Sequence, residues 1–300
     1  MAANAGRTAI GVAALRAIER YTPAAERLFD DPLARSLCGP LLSPVLSLFA
    51  CRQLREPLLR ARDRKAPGVL GGLLCRVTYL DDVLRQALAA GVQSVVLLGA
   101  GLDSRAYRIP GADSVRFFDV DQPAVQHDKR ARLARHLGVL PAHVRFVPID
   151  FDRQDLAAEL AAAGYDGATR TLFIWEGVTQ YISRAALEAT PGYVGSTAVG
   201  NQLAFSYVLQ RFIDDRSAYP ALSLLWDRAC KGDNSLWKGG LDRDRLPETL
   251  AGFSLRIRED MGPSEYQARY LEPRRRSLPV FEIERTLLAE VEAASITLVS

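Results

Sequence analysis

The sequence predicts an α/β fold: an open, mainly parallel sheet covered by helices, with an N-terminal helical cap and an inserted helical lid. Three observations point there. Residues 8–90 read as helices separated by prolines and carry no strand signal. After Gly91, short apolar runs alternate with helical stretches, as expected of a parallel sheet. Four consecutive apolar runs then end in glycine or a carboxylate, which is where an open sheet binds its ligand.

In the cap, residues 1–90, the apolar spacing predicts helices at 10–21, 44–64 and 77–90. The core, residues 91–300, offers strands at 94–98, 115–120, 144–149, 171–175 and 202–208, with helices at 123–137, 156–163 and 184–190 between them. A charge-rich stretch with Phe212, Tyr219, Trp226 and Trp237 and a turn at Gly232-Asp233-Asn234 predicts the lid, at about 209–250. Residues 254–258 and 279–291 supply the last strands, expected as a hairpin-like edge.

Three hundred residues with 48% hydrophobic content can bury a large core. A net charge of +3 creates no field that demands nucleic acid, so the basic clusters at 52–65 and 274–276 read as solvated faces. Cys38, Cys51, Cys75 and Cys230 lack CxxC spacing and read as reduced thiols. His127, His136 and His143 form no metal-binding pattern. Without a sustained apolar run near the N-terminus, the expected setting is the cytoplasm, with no membrane partner.

The stretch VVLLGAGLDSRAYRI, 95–109, reads as a buried strand running into a glycine turn, Gly99-Ala100-Gly101. Ser104 stands where a dinucleotide fingerprint has its third glycine, which weakens a nicotinamide reading. The following strands end in FFDVDQP with Asp121, PIDFD with Asp150 and Phe151, and IWEGVTQY with Glu176. Asp121 has the spacing of a ribose-binding acid, and Asp150 with Phe151 suits an adenine amino group and ring. So many carboxylates would repel a phosphate chain. They suit an adenosyl ligand that carries an amine and a sulfonium.

At these residues the chain resembles the S-adenosylmethionine-dependent methyltransferases of the leucine carboxyl methyltransferase family, and within it the bacterial O-methyltransferases of polyketide and other natural-product pathways. ERLFDDPLA, LGAGLDSRAYRI, FFDVDQP, PIDF, WEGVTQYIS, FSYV, GPSEYQARYL and ERTLLAEV carry the likeness. It implies a Rossmann-like class I methyltransferase sheet and S-adenosyl-L-methionine as cofactor. It further implies that Arg76, with Arg20 as a second cation, pairs with the cofactor carboxylate. Gly99, in the Gly99-Ala100-Gly101 turn, would meet the methionyl part and Asp121 the ribose; Asp150 and Phe151 would meet the adenine, and Glu176 the methionyl amine or the acceptor entrance. Leu97 and Asp103 replace an acid and a glycine of common methyltransferases, as this family does; NSLWKGG, 234–240, departs from the acidic-proline pair of its natural-product members.

Methyl transfer from a sulfonium needs alignment more than a catalytic side chain. A carboxylate, with a pKa of about 4, needs no base, whereas a phenol, with a pKa of about 10, profits from one. The chain offers no compelling base, so the expected acceptor is a small carboxylic acid, with an aromatic acid as one option; a phenol, a peptide C-terminus, or a non-catalytic cofactor-binding scaffold are the alternatives. Tyr181, Tyr207 and Arg211 are the candidates for facing the acceptor.

Overall fold

The computed structural model describes residues 2–232 and 235–293, so Asp233 and Asn234 of the expected lid turn lie outside the described residues. Five helices precede the first strand: α1 (Ala2–Glu19), α2 (Ala34–Cys38), α3 (Ser43–Leu48), α4 (Arg52–Asp63) and α5 (Val69–Ala89). The helix expected at 44–64 is split into α3 and α4. α5 begins at Val69 rather than at 77, because Gly68, at φ +77°, makes the left-handed turn before it and Leu70, Leu73 and Leu74 are buried.

Next come β1 (Ser94–Leu98), α6 (Arg105–Arg108), β2 (Arg116–Asp121), α7 (Pro123–Leu137), β3 (Val144–Pro148), α8 (Leu156–Ala162), β4 (Thr171–Trp175), α9 (Arg184–Gly195) and β5 (Gln202–Val208). Their starts are set locally. Pro123 opens α7, the Asp155 carboxylate accepts the Ala158 N–H at 2.8 Å before α8, and Ser183 Oγ accepts the Ala186 N–H at 3.2 Å before α9. α9 continues through Pro191, past its expected end at 190. Burial of Pro191 and Val194 holds that last turn in place.

The lid contains the short helices α10 (Gln210–Asp214), α11 (Ser223–Ala229) and α12 (Leu246–Ala251). β6 (Leu255–Met261), α13 (Pro263–Tyr266) and β7 (Glu284–Val291) come after it. Among the described residues, seven strands lie in the order β3-β2-β1-β4-β5-β7-β6. β1 to β5 are parallel, and β7 is antiparallel to both β5 and β6.

The expected antiparallel pairing of the last two strands at the sheet edge is present, without a tight hairpin turn. β6 and β7 do pair, but β7 enters between β5 and β6, and Pro263 after β6 opens a helix where a hairpin would need a tight turn. Pairing of β7 begins at Glu284 rather than at 279.

Strand alternation feeds two cores. Val95, Leu97, Phe117 and Ile174 pack with cap residues such as Leu74 and Val77. Val96, Leu98, Phe118 and Trp175 pack with Leu160, Leu187 and Leu250 of α8, α9 and α12. Both faces of the parallel strands are thus covered, which leaves the strand ends as the place for a ligand.

One polar pair lies inside this packing. Asp119, fully buried in β2, pairs with Lys129 Nζ of α7, and its Oδ1 lacks a hydrogen-bond partner. Burial pushes its carboxyl up to about 6 against the pull of Lys129. A raised native value means that stability tied to the neutral acid is present below about pH 4 and lost as the pH rises past 6. Lys129→Met removes the compensating charge, so urea denaturation is expected to show a loss of about 3–5 kcal/mol at pH 8 and a much smaller one at pH 5. Equal losses at the two pH values would refute this account.

Candidate functional site

A cavity of about 630 Å³ opens at the carboxyl ends of β1, β2 and β4. The chain order reverses between β1 and β4, and this is the crevice in which open sheets bind ligands. Gly99, Ala100, Gly101, Asp121, Asp150, Phe151, Glu176 and Arg76 all line it. The structure thus brings together every expected cofactor residue except Arg20.

Gly99 and Gly101 have φ of +64° and +47°, the left-handed conformation that glycine tolerates. A Cβ on Gly99 would come within 2.3 Å of Val178 Cγ2. Asp121 ends β2 beside this turn. Its carboxylate accepts the Gly101 N–H at 2.5 Å and the Gln122 N–H at 2.6 Å, and burial pushes its pKa upward against those two bonds. Asp150 and Phe151 come just after β3, with Asp150 half-exposed at the rim.

The cations stand across from them. Arg76, on α5, donates from Nε to Glu176 at 2.9 Å and from Nη1 to Glu284. Glu176 also accepts from Arg105 at 2.7 Å, and Arg105, 1% exposed, reaches Asp81 at 2.8 Å and Asp103. Against the upward push of burial, Arg105 holds Asp103 well below the usual carboxylate range, and Arg105 and Arg76 hold Glu176 below its ordinary value.

Arg20 is a correction. α1 ends at Glu19, and Arg20 turns outward, half-exposed, to pair with Asp30 at 2.7 Å. Arg16, one helical turn earlier, lines the cavity instead. It is 4% exposed, its Nε lies 3.2 Å from Asp31 without a hydrogen-bond partner, and its Nη2 donates to Leu102 O. The spacing of Thr8, Val12 and Arg16 on one helix face was the available signal, since all three line the cavity.

The remaining lining is mostly apolar and comes partly from the lid: Val69, Leu225, Leu236, Trp237 and Phe281, with Tyr181 edge-on to Trp237 at 6.5 Å. Tyr181 therefore faces the cavity, whereas Tyr207 and Arg211 do not line it. Alternation along β5 gives the cavity to Val208 and turns Tyr207 into the opposite core, where its hydroxyl bonds Asp260 at 3.2 Å. Arg211 is exposed on α10. Glu284, Lys238 and Gln180 also line the cavity and were missed. Glu284 arrives on the inserted β7, opposite Val208, a pairing no local motif announces.

Arg105 bonds three carboxylates, Asp81, Asp103 and Glu176, that sequence reading left unconnected. Because Asp103 and Glu176 are held low, their stabilisation is present above about pH 4 and fades as the pH falls. Arg105→Met is expected to cost about 3–5 kcal/mol at pH 7, with a smaller deficit at pH 4. Denaturant titrations at both pH values check this; a deficit independent of pH would assign the loss to packing instead.

Comparison with known proteins accords with this geometry. The family model for leucine carboxyl methyltransferase matches residues 9–193. A candidate S-adenosyl-L-methionine-dependent methyltransferase of Frankia alni is 35% identical over 78% of this chain and 80% of its own. One from Mycolicibacterium smegmatis is 34% identical over 89% and 87%. A crystal structure of a candidate methyltransferase from Thermobifida fusca superposes with a TM-score of 0.54 at 16% identity, covering 80% of this chain and 89% of that one, which supports the class I Rossmann-like sheet. With five of the eight motif-bearing segments, from ERLFDDPLA to WEGVTQYIS, inside the family match, this is an S-adenosyl-L-methionine-dependent methyltransferase that belongs to the leucine carboxyl methyltransferase family.

Proposed function

We propose that the chain is an O-methyltransferase acting on a carboxylate of a small natural-product intermediate. The observation that carries this reading is the composition of the cavity wall. Among the described residues it offers carboxylates, cations and an apolar end, but no histidine. His127 and His136 are exposed, and His143 bonds the Ala106 carbonyl at 2.9 Å. Burial pushes the Tyr181 hydroxyl upward, so it stays protonated at neutral pH. An acceptor that is already ionised suits such a site; a phenol would find no histidine base there.

The residues present fit the cofactor. Arg76 spends two of its five N–H donors on Glu176 and Glu284, which leaves Nη2 for a ligand carboxylate. Arg16, which lines the cavity while its Nε faces Asp31 at 3.2 Å, is a second cation for that carboxylate. Asp121, at the glycine turn, has lone pairs left for ribose hydroxyls, Asp150 and Phe151 offer an acceptor and a ring face to adenine, and Glu176 offers an acceptor to the amine. When bound, S-adenosylmethionine supplies an electrophilic methyl: the acceptor oxygen forms the new O–C bond while the C–S bond breaks and its electron pair stays on sulfur.

What the chain contributes is placement and dryness. Trp237, Leu236 and Phe281 close the apolar end against water, and a cavity of about 630 Å³ has room for the cofactor and a small acceptor together. Holding reactants in line is worth up to roughly 7–11 kcal/mol in favourable cases.

Two outcomes are expected. In calorimetric titrations, Arg16→Met and Arg76→Met weaken S-adenosylhomocysteine binding by about tenfold or more, while Arg20→Met leaves it within about twofold; a loss confined to Arg20→Met would reverse the assignment. With labelled cofactor and a panel of aromatic acids and phenols, the product is an alkali-labile methyl ester, and the rate is flat above about pH 5. An alkali-stable ether formed at a rate that climbs toward pH 10 would replace the carboxylate acceptor by a phenol.

A further inference from the structure

Three cations line the cavity among the described residues: Arg16, Arg76 and Lys238. The first two face carboxylates, Asp31 for Arg16 and Glu176 with Glu284 for Arg76. Lys238 has no carboxylate within ion-pair distance among the described residues, and its side chain is exposed at the lid. Its backbone is nevertheless fixed. The Lys238 N–H donates to the Gln180 carbonyl at 2.6 Å, and the preceding Trp237 packs against Tyr181 and against Phe212, at 5.8 Å from the latter. A lysine thus stands on a fixed backbone in the wall of a cavity end made by Trp237, Tyr181, Leu225 and Phe281.

Resting on the carboxylate reading above, we propose that Lys238 and this aromatic wall form the acceptor subsite, which takes a flat aromatic carboxylate. The ammonium bonds one carboxylate oxygen and leaves the other with a free lone pair for methyl transfer. The ring lies against Trp237 and Tyr181, whose edge-to-face arrangement presents ring faces and edges to it. A neutral acceptor of the same shape gains the aromatic contacts but not the charged one. Lys238 thereby acts in acceptor choice, while the cofactor's own partners lie on α1, α5 and the strand ends.

The test uses the full chain saturated with S-adenosylhomocysteine and two probes of one shape, 1-naphthoate and 1-naphthol, each titrated by calorimetry at low and high salt. The wild type is expected to bind naphthoate more tightly than naphthol. Lys238→Met is expected to weaken naphthoate about tenfold, to leave naphthol and the cofactor product unchanged, and to abolish the salt dependence of naphthoate binding. Lys238→Arg is expected to restore most of the affinity. If naphthoate is preferred but binds Lys238→Met as tightly as wild type, Lys238 is not the anchor and the carboxylate reading stands. If naphthol binds at least as well as naphthoate to the wild type, the carboxylate reading itself fails. Binding of neither probe rules out an aromatic acceptor subsite.

Discussion

A buried chain of arginines and carboxylates is the constraint on which the rest of this structure depends. It runs from Glu284 through Arg76, Glu176 and Arg105 to Asp81, and Arg108 carries it on at 2.6 Å from Asp81 and 3.7 Å from Asp31. Arg16 joins at Asp31. These residues come from α1, the loop before α2, α5, α6, β7 and the end of β4, so one ionic lattice ties the N-terminal helices to the sheet and to the last strand. Buried ion pairs seldom add net stability over apolar packing, because desolvation offsets their attraction. Their effect here is geometric: most members are held by several partners at once, and four of them, Arg16, Arg76, Glu176 and Glu284, line the cavity.

The same lattice explains why distant sequence motifs belong together. Asp31, in the DDPLA segment, accepts the Leu33 and Ala34 N–H groups and so starts α2, while its other oxygen accepts Ser104 Oγ from the glycine turn at 2.6 Å. Ser104, at the position where a dinucleotide fingerprint has glycine, is thus a fastener between cap and core. Arg105 beside it does the same for α5 and β4. The turn is bound on both sides: Asp121 holds the Gly101 N–H, Asp31 holds Ser104, and Asp81 holds Arg105. With its neighbours fixed, the turn is held in the left-handed conformations that glycine adopts without strain.

The range of each interaction decides how much of this was legible in the sequence. β1, β4 and β5 and helix α7 could be read residue for residue, because apolar runs and a Pro start are local signals. The glycine turn and the strand-end acids were legible for the same reason: an open parallel sheet puts strand ends at its ligand crevice. Arg20, carried over from the family likeness, follows the end of α1 and turns outward to Asp30, and the charge that lines the cavity is Arg16, one turn earlier. Glu284 and the place of β7 were not legible at all. Antiparallel insertion between β5 and β6 is a long-range pairing, and neither alternation nor turn chemistry near residue 284 encodes which strand it will meet. Tyr207 shows the cost of a single step along a strand: its neighbour Val208 faces the cavity and it does not.

The two ends of the cavity are built on different principles. At the polar end, Arg16, Arg76, Asp103, Asp121 and Glu176 are held by ion pairs or by backbone N–H groups, so geometry there is set within the chain. At the apolar end the wall is Val69, Leu225, Leu236, Trp237 and Phe281, from the start of α5, the segment between β5 and β6 and the segment before β7, where ring packing and the Lys238–Gln180 backbone bond fix the middle part. Apolar contacts are not directional, and changes of size there need only conserve volume to be tolerated. A change at the polar end must instead keep several charges satisfied at once. Substitutions in the apolar wall can therefore accumulate without disturbing the lattice, and methyl transfer, which depends on alignment more than on a catalytic side chain, remains possible as they do.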